Sequence, residues 1–177
     1  MVIMVTGPMG SGKSAKLIST HNSMVALDIP VMVFKPKMDT RSCNFIKSRN
    51  GSQIEAIERE NFAEILIDLK NNKETQMVFV DETQFLKFEG FMELYEYLME
   101  NNIDCMLGGI DLTSEMVPFE TMQRIMPFCQ QVRKISAQCK CGKKAHYSKC
   151  LVKKDSDVLI GDEIYAPTCY KCFKEEI

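Results

Sequence analysis

A glycine-rich segment close to the N-terminus, GPMGSGKS at residues 7–14, constrains the fold of this chain more than any other feature. Gly7, Gly12, Lys13 and Ser14 match the pattern G-x-x-x-x-G-K-S/T. The segment follows an apolar run typical of a buried strand and precedes a segment with helical spacing. Backbone N–H groups of such a loop converge on phosphate oxygens, helped by the positive end of the following helix. The sequence therefore predicts a strand, a phosphate-binding loop and a helix in succession.

The loop predicts a site for the phosphates of a nucleoside triphosphate together with Mg²⁺. We expect Lys13 to reach the β- and γ-phosphates and the Ser14 hydroxyl to bind Mg²⁺. The phosphate-binding residues predicted here are those of the whole loop: Gly7, Pro8, Met9, Gly10, Ser11, Gly12, Lys13 and Ser14.

Apolar strands alternate with amphipathic helices as far as Asp111, a pattern typical of a parallel α/β sheet. Strands are predicted at residues 1–6, 30–37, 76–82 and 103–111, with helices at 14–27, 62–72 and 91–102.

The remaining segments have weaker patterns. Residues 36–51 lack a clear period, so we expect a loop with at most one short strand, and residues 112–137 predict a loop and a short helix. Residues 138–177 are rich in Cys, Lys and Tyr and are too polar for a hydrophobic core of their own. We therefore predict an α/β nucleotide-binding domain at 1–137 and a small second domain at 138–177.

Acidic residues follow the third predicted strand, in the segment MVFVDE. Asp81 is placed to bind Mg²⁺ directly or through water, and Glu82 to accept a proton from an attacking hydroxyl group. Asp39 and Arg41 follow the second strand, where an arginine could approach the phosphates from the side opposite Lys13; a surface ion pair is an equal alternative.

Four of the eight cysteines form two close pairs near the C-terminus. Cys139 and Cys141 make one pair, Cys169 and Cys172 the other, and such pairs supply the four thiolates of a structural Zn²⁺ site. A metal would provide the stability that this small segment lacks. Cys150 or His146 remains an alternative for one ligand position. Cys43, Cys105 and Cys129 are scattered, and we interpret them as small buried hydrophobic residues.

Composition excludes several classes of protein. The formal net charge of −2 gives no basic surface for nucleic acid. No apolar run approaches the roughly 20 residues that cross a bilayer, and the N-terminal run lacks the basic start of a signal peptide. We therefore expect a cytoplasmic protein with reduced cysteines and without nucleic-acid or membrane partners.

Six segments together resemble the cellular-type thymidine kinase family. GPMGSGKS is similar to its GPM-x-SGK-S/T element, KPKMDTR to K-x-x-x-D-x-R, and VDETQF to D-E-A/G-Q-F. GGIDLTSEMVPF, CGKKAHYS and IGDEIYAPTCYKC are similar to three further family elements, in the family's order. The resemblance covers almost the whole chain.

The resemblance implies a P-loop NTPase-like parallel sheet flanked by helices, followed by a zinc-bound lasso that closes over a nucleoside. It implies transfer of the ATP γ-phosphate to the 5′-hydroxyl of thymidine, with Glu82 as the base. It also places Gln84, from the same motif as Glu82, on the ATP side together with Asp39, Arg41 and Asp81. The residues that it assigns to the nucleoside are Met9, Phe85, Ile110, Ser148, Val158, Ile160 and Tyr165. A homotetramer and feedback binding of dTTP are also family expectations.

The chain departs from the family pattern mainly on the nucleoside side. Ser114 stands where the family has an aromatic residue, Cys150 where it has an arginine, and Arg49 where it has a histidine. Gly10 and Asp162 also differ from the usual residues. Two alternatives therefore remain: a related P-loop nucleoside kinase with altered specificity, or a nucleotide-binding regulatory protein with weak catalysis.

Overall fold

The computed structural model describes residues 1–40, 43–152 and 164–175. The strands of these ranges are β1 (Val2–Thr6), β2 (Val31–Pro36), β3 (Phe45–Lys47), β4 (Gln53–Glu55), β5 (Ile57–Arg59), β6 (Met77–Val80), β7 (Asp104–Gly109), β8 (Gln131–Lys134), β9 (Ala137–Gln138), β10 (Lys144–Ala145), β11 (Tyr147–Cys150) and β12 (Tyr165–Thr168). The α-helices are α1 (Lys13–Val25), α2 (Phe62–Asn71), α3 (Phe91–Glu100), α4 (Glu120–Ile125) and α5 (Tyr170–Lys174).

Six strands form one sheet in the order β5-β2-β6-β7-β1-β8, and all of its pairings are parallel. The four predicted strands are its centre, which confirms the predicted α/β class. The loop after β1 and the acidic residues after β6 both lie at the carboxyl edge of the sheet, where parallel α/β sheets bind their ligands.

Helices cover both faces of the sheet, which explains why the central strands are apolar at nearly every position. On one face, α2 and α3 pack on β6 through a core that includes Phe62, Leu94 and Val78. On the other face, Leu17 and Ile18 of α1 pack on alternate residues of the same strands, such as Phe79. Helix α2 begins where the Asn61 side chain accepts a hydrogen bond from the Glu64 N–H.

The two outer strands of the sheet differ from the sequence-based expectation. Strand β5 is three residues long, and β8 lies within residues 112–137, for which only a loop and a short helix were predicted. All four residues of β8 are exposed, so this edge strand lacks the apolar pattern that identifies the central strands. Residues 36–51 contain a loop and one short strand, β3, as expected, and this strand pairs with β4 in an antiparallel hairpin.

Short elements make up the C-terminal part. Strand β9 pairs with β10 and β11 with β12, both antiparallel. The sequence of residues 145–161 favours a hairpin with its turn at residues 153–157. Strand β11 lies in the first arm of that hairpin, whereas the turn and the second arm lie outside the described residues, and β11 pairs with β12. Cys139, Cys169 and Cys172, with Ala145, form its small buried cluster. Division into domains at residue 137 stays a prediction. No helix of the described ranges has the length and apolar character needed to span a lipid bilayer.

Candidate active site and metal centre

The glycine loop joins β1 to α1, as predicted. Gly7 has a φ of +149°, and a Cβ there would lie 2.2 Å from the carbonyl oxygen of Ile135, so only glycine fits. Gly12 precedes the first turn of α1, whose N-terminal N–H groups therefore face the loop. The hydroxyl of Ser11 is buried and has no hydrogen-bond partner among the described residues. This loop has the local structure that phosphate binding requires.

The Lys13 amine is held inside the loop. The side chain is 7% exposed, and Nζ donates hydrogen bonds to the carbonyl oxygens of Gly7 at 3.0 Å and Pro8 at 2.9 Å. These bonds fix a positive charge beside the loop. The amine is thereby positioned next to the backbone that would surround a phosphate chain.

Asp81, at the end of β6, hydrogen-bonds to the side chain of Ser14. Burial, and then the charge of Glu82, raise the pKa of Asp81 to about 6. Its Oδ1 atom is buried without a hydrogen-bond partner among the described residues. An unsatisfied buried carboxylate oxygen beside a serine hydroxyl is a suitable set of hard oxygen ligands for Mg²⁺. The residues present therefore fit the predicted cation.

Glu82 lies at the mouth of the site in a left-handed backbone conformation, with φ +49°. Its Oε2 accepts a hydrogen bond of 2.5 Å from Nε2 of Gln84. The other end of the Gln84 amide, Oε1, accepts a 3.0 Å bond from the N–H of Ile110, after β7. Gln84 was predicted on the ATP side; in the structure its amide connects Glu82 to the neighbouring strand and orients the carboxylate.

A cleft of about 420 Å³ joins these groups. The predicted site residues that line it are Met9, Gly10, Gly12, Lys13, Ser14, Asp39, Asp81, Glu82 and Ile110. The loop residues Gly7, Pro8 and Ser11 are not among the residues that line it. Arg41, Val158 and Ile160 fall outside the described residues.

The other predicted nucleoside residues that the structure describes are not among those that line the cleft. Ser148 of β11 accepts a hydrogen bond of 2.9 Å at Oγ from the N–H of Met9. Phe85 packs edge-to-face on Phe119, with the ring centroids 6.1 Å apart. Tyr165 begins β12 and pairs with Cys150. The Ser148 contact brings the C-terminal hairpin against the glycine loop.

Sequence reasoning missed the residues that the β3–β4 hairpin brings to the cleft. Phe45, Lys47 and Arg49 line it, as does Lys35 from β2. Lys35 is 1% exposed, and its Nζ lies 3.2 Å from Oδ2 of Asp39 and 3.4 Å from the carbonyl oxygen of Phe45. The available signal was a lysine inside an otherwise apolar strand, which indicates a buried charge with a partner.

The four paired cysteines meet in one cluster. Their Sγ atoms lie within 4.8 Å of one another, with Cys141 Sγ at 3.5 Å from that of Cys139 and 3.6 Å from that of Cys169. Tetrahedral Zn²⁺ with Zn–S bonds of about 2.3 Å places its sulfurs about 3.8 Å apart. The set Cys139, Cys141, Cys169 and Cys172 thus fits a structural zinc and leaves no open coordination position.

The remaining cysteines and His146 are not part of this cluster. Backbone hydrogen bonds from Cys141 and Cys169 lower the pKa of the Cys139 thiol to about 6, which favours the thiolate that a metal binds. Cys105 is buried in the core, as predicted, whereas Cys129 is partly buried and packs against that core. Cys43 is exposed, so the expectation that it is buried was wrong.

Fold and site together define a P-loop enzyme of the kind that transfers a phosphoryl group. The parallel sheet, the glycine loop, the paired Ser14 and Asp81, and a carboxylate at the cleft are the parts of that chemistry. Comparison with known proteins identifies the family. The family model described as thymidine kinase matches residues 1–173, and the chain belongs to the thymidine kinase family.

Curated relatives carry the same name. The thymidine kinase of Ureaplasma parvum is 33% identical over 177 residues, covering 94% of this chain and 79% of that protein. The thymidine kinase of Mycoplasma genitalium is 35% identical over 171 residues, with the same two coverages of 94% and 79%. That of Pseudothermotoga lettingae is 31% identical over 176 residues, covering 97% of this chain and 94% of its own.

Proposed function

We propose that this protein is an ATP-dependent thymidine kinase that transfers the γ-phosphoryl group to the 5′-hydroxyl of thymidine, yielding dTMP and ADP. The observation that carries this proposal is the position of Glu82. Its carboxylate is oriented by Gln84 and lines the same cleft as Lys13, Ser14 and Asp81. A protein that only bound nucleotide would have no need of an oriented carboxylate at this position.

In the proposed reaction, the 5′-oxygen attacks the γ-phosphorus while the bond from that phosphorus to the β–γ bridging oxygen breaks. Glu82 accepts the hydroxyl proton as the new P–O bond forms. Lys13 and the loop N–H groups stabilise the negative charge of the phosphates. Ser14 and Asp81 would hold Mg²⁺, which neutralises charge on the phosphate oxygens when it is bound.

Recognition of the nucleoside is proposed to combine the loop and the C-terminal hairpin. Met9 and Ile110 line the cleft, and Ser148 anchors the hairpin to the main chain of Met9. The family resemblance assigns Phe85, Tyr165, Val158 and Ile160 to the same side. A pocket that reads the base through fixed hydrogen-bonding groups discriminates strongly, because a wrong base leaves buried polar groups unpaired.

A panel of nucleosides assayed with Mg-ATP tests the proposal directly. We expect phosphorylation of thymidine and, more weakly, of deoxyuridine, with no measurable product from purine nucleosides. Faster turnover of another nucleoside would favour the altered-specificity alternative suggested by Ser114 and Cys150. ATP binding without any phosphorylated nucleoside would favour a regulatory protein.

Further properties are proposed on separate grounds. The cysteine cluster supports one structural Zn²⁺ in the C-terminal domain, and the composition supports a cytoplasmic location. A homotetrameric assembly and feedback inhibition by dTTP are proposed from the family resemblance alone. Light scattering of the purified protein tests the assembly, and inhibition of thymidine phosphorylation by dTTP tests the feedback.

A further inference from the structure

Arg49 brings its guanidinium group directly against the glycine loop. A Cβ built on Gly10 would lie 2.8 Å from Nη1 of Arg49 and 3.5 Å from its Cζ. The guanidinium group therefore occupies the space that a side chain at position 10 would need. Gly10 also has a φ of +73°, which glycine adopts without strain. The absence of a side chain at Gly10 is what allows the arginine this close approach.

The β3–β4 hairpin holds Arg49 in a closed turn. The Ser48 N–H donates to the carbonyl oxygen of Ser52 at 2.9 Å, and the Gly51 N–H donates to that of Ser48 at 3.0 Å. The Asn50 side chain accepts a further bond of 3.0 Å from the Ser52 N–H. At the base of the hairpin, Lys35 donates to the carbonyl oxygen of Phe45. The hairpin that carries Arg49 therefore has a closed turn and is tied at its base to Lys35 of β2.

The position of Arg49 suits a developing negative charge. Arg49 lines the same cleft as Lys13 and Glu82, but it meets the loop at Gly10, whereas Lys13 is bound at Gly7 and Pro8. Of the other lysines there, Lys35 is paired with Asp39. In phosphoryl transfer the charge spreads over three equatorial oxygens, and a planar guanidinium group can hydrogen-bond to two of them.

We propose that Arg49 is a catalytic residue that binds the phosphoryl group during its transfer, and that Gly10 is the residue that admits it. The assignment rests on the proposed kinase function. Arg49 adds to the site a second cation, which comes from the hairpin. It meets the loop at Gly10, whereas Lys13 is bound at Gly7 and Pro8.

Steady-state kinetics of Arg49→Ala and Arg49→Lys test this role. We expect Arg49→Ala to lower kcat about 100-fold or more while KM for ATP and for thymidine stays within about fivefold, because the contact forms mainly in the transition state. Arg49→Lys recovers only part of the rate, since one ammonium group cannot form the two-pronged contact. Arg133→Ala is the matched control, because Arg133 contacts the Gln131 side chain outside the cleft. A kcat of Arg49→Ala within about threefold of the native value, or a change confined to KM, would overturn the proposal.

A binding measurement separates this proposal from the kinase proposal itself. ADP with aluminium fluoride imitates the phosphoryl group in transit, and its binding can be measured without knowing the acceptor. We expect Arg49→Ala to weaken binding of Mg-ADP–aluminium fluoride at least about tenfold and that of Mg-ADP less than about twofold. Equal effects on both ligands would refute the Arg49 assignment, whether or not the native protein phosphorylates thymidine.

Coupling between substitutions at Gly10 and Arg49 gives an independent check of the proposed contact. Gly10→Ala would displace the guanidinium group and also strain the loop. The strain acts in any background, whereas the displacement matters only if Arg49 is present. We therefore expect Gly10→Ala to lower kcat by a larger factor in the native protein than in Arg49→Ala. Equal factors in both backgrounds would contradict a catalytic contact that depends on Gly10.

Discussion

The main-chain N–H of Met9 donates a 2.9 Å hydrogen bond to the side-chain oxygen of Ser148, 139 residues away in the sequence. The bond is buried and joins the glycine loop to the β11–β12 hairpin. The phosphate-binding side of the site and the part of the chain that we assign to the nucleoside are therefore in direct contact. Any change in this hydrogen bond should affect both stability and nucleoside binding.

Ser148→Ala is expected to leave the Met9 N–H buried and unsatisfied. This should lower the free energy of unfolding by about 1–3 kcal/mol and raise KM for thymidine more than KM for ATP. Ser148→Thr keeps the acceptor oxygen and is the matched control. Denaturant unfolding and steady-state kinetics provide the two readouts. Unchanged stability together with unchanged KM in the alanine variant would show that the bond has neither role.

Lys35 and Asp39 form a buried ion pair at the wall of the cleft, with side chains 1% and 7% exposed. Replacing one partner leaves an uncompensated buried charge, so Lys35→Met should lower the free energy of unfolding by about 3–5 kcal/mol. The double variant Lys35→Met with Asp39→Asn should recover part of that loss. Thermal and denaturant unfolding measure both. A Lys35→Met protein as stable as the native one would contradict the assigned pairing.

The cysteine cluster predicts about one Zn²⁺ per chain in protein purified under reducing conditions. Cys139→Ser and Cys169→Ser should each lose the metal and make the C-terminal segment sensitive to protease, because metal binding stabilises that fold. Cys150→Ser is the matched control and should retain the zinc, since Cys150 is not part of the cluster. Elemental analysis and limited proteolysis check these outcomes. Loss of zinc from the Cys150 variant, or its retention in the Cys139 variant, would refute the ligand set.

Asp81 should make the nucleotide-free protein less stable as pH rises. Its pKa is raised from 3.8 to about 6 in the fold, mainly by burial, so the protonated form is the one that the fold favours. The associated stability is complete below the unfolded pKa and is lost as pH rises through about 6. Asp81→Asn carries no charge and avoids this loss.

Asp81→Asn should therefore exceed the native protein in unfolding free energy by up to about 3 kcal/mol at about pH 7.5, with the difference disappearing towards about pH 4. The measurement is denaturant unfolding across that range without Mg²⁺ or nucleotide. A difference that does not vary with pH would show that the fold does not raise the pKa of Asp81. Asp81→Asn should also weaken Mg-ATP binding if this carboxylate holds the cation.

The central sheet and the loop could be predicted because their signals are local. Continuous apolar strands such as β6 can be identified from a short window, and the glycine loop has a fixed spacing. Strands β5 and β8 could not, because one is three residues long and the other is exposed at the sheet edge. Pairing with a neighbouring strand, rather than local sequence, makes them strands.

The site residues divide in the same way, into those that a local sequence signal identifies and those that depend on contacts between distant segments. Lys13, Ser14, Asp81 and Glu82 are at positions that a motif and a strand end define, and the structure brings them to one cleft. Arg49 lies in a polar turn, and only the folded hairpin shows that it contacts Gly10. The role of Gln84 in orienting Glu82 likewise depends on the distant N–H of Ile110. Contacts of this kind become visible only in three dimensions.

Turnover of Glu82→Gln tests the account most directly, because the glutamine keeps the size and hydrogen-bonding capacity of the side chain but cannot accept the proton. We predict that kcat for thymidine with Mg-ATP falls about 10²–10⁴-fold, while the Kd for ATP stays within about twofold. Glu89→Gln, an exposed position outside the cleft, is the matched control and should leave turnover unchanged. A Glu82→Gln protein that phosphorylates thymidine at nearly the native rate would contradict the assignment of Glu82 as the base.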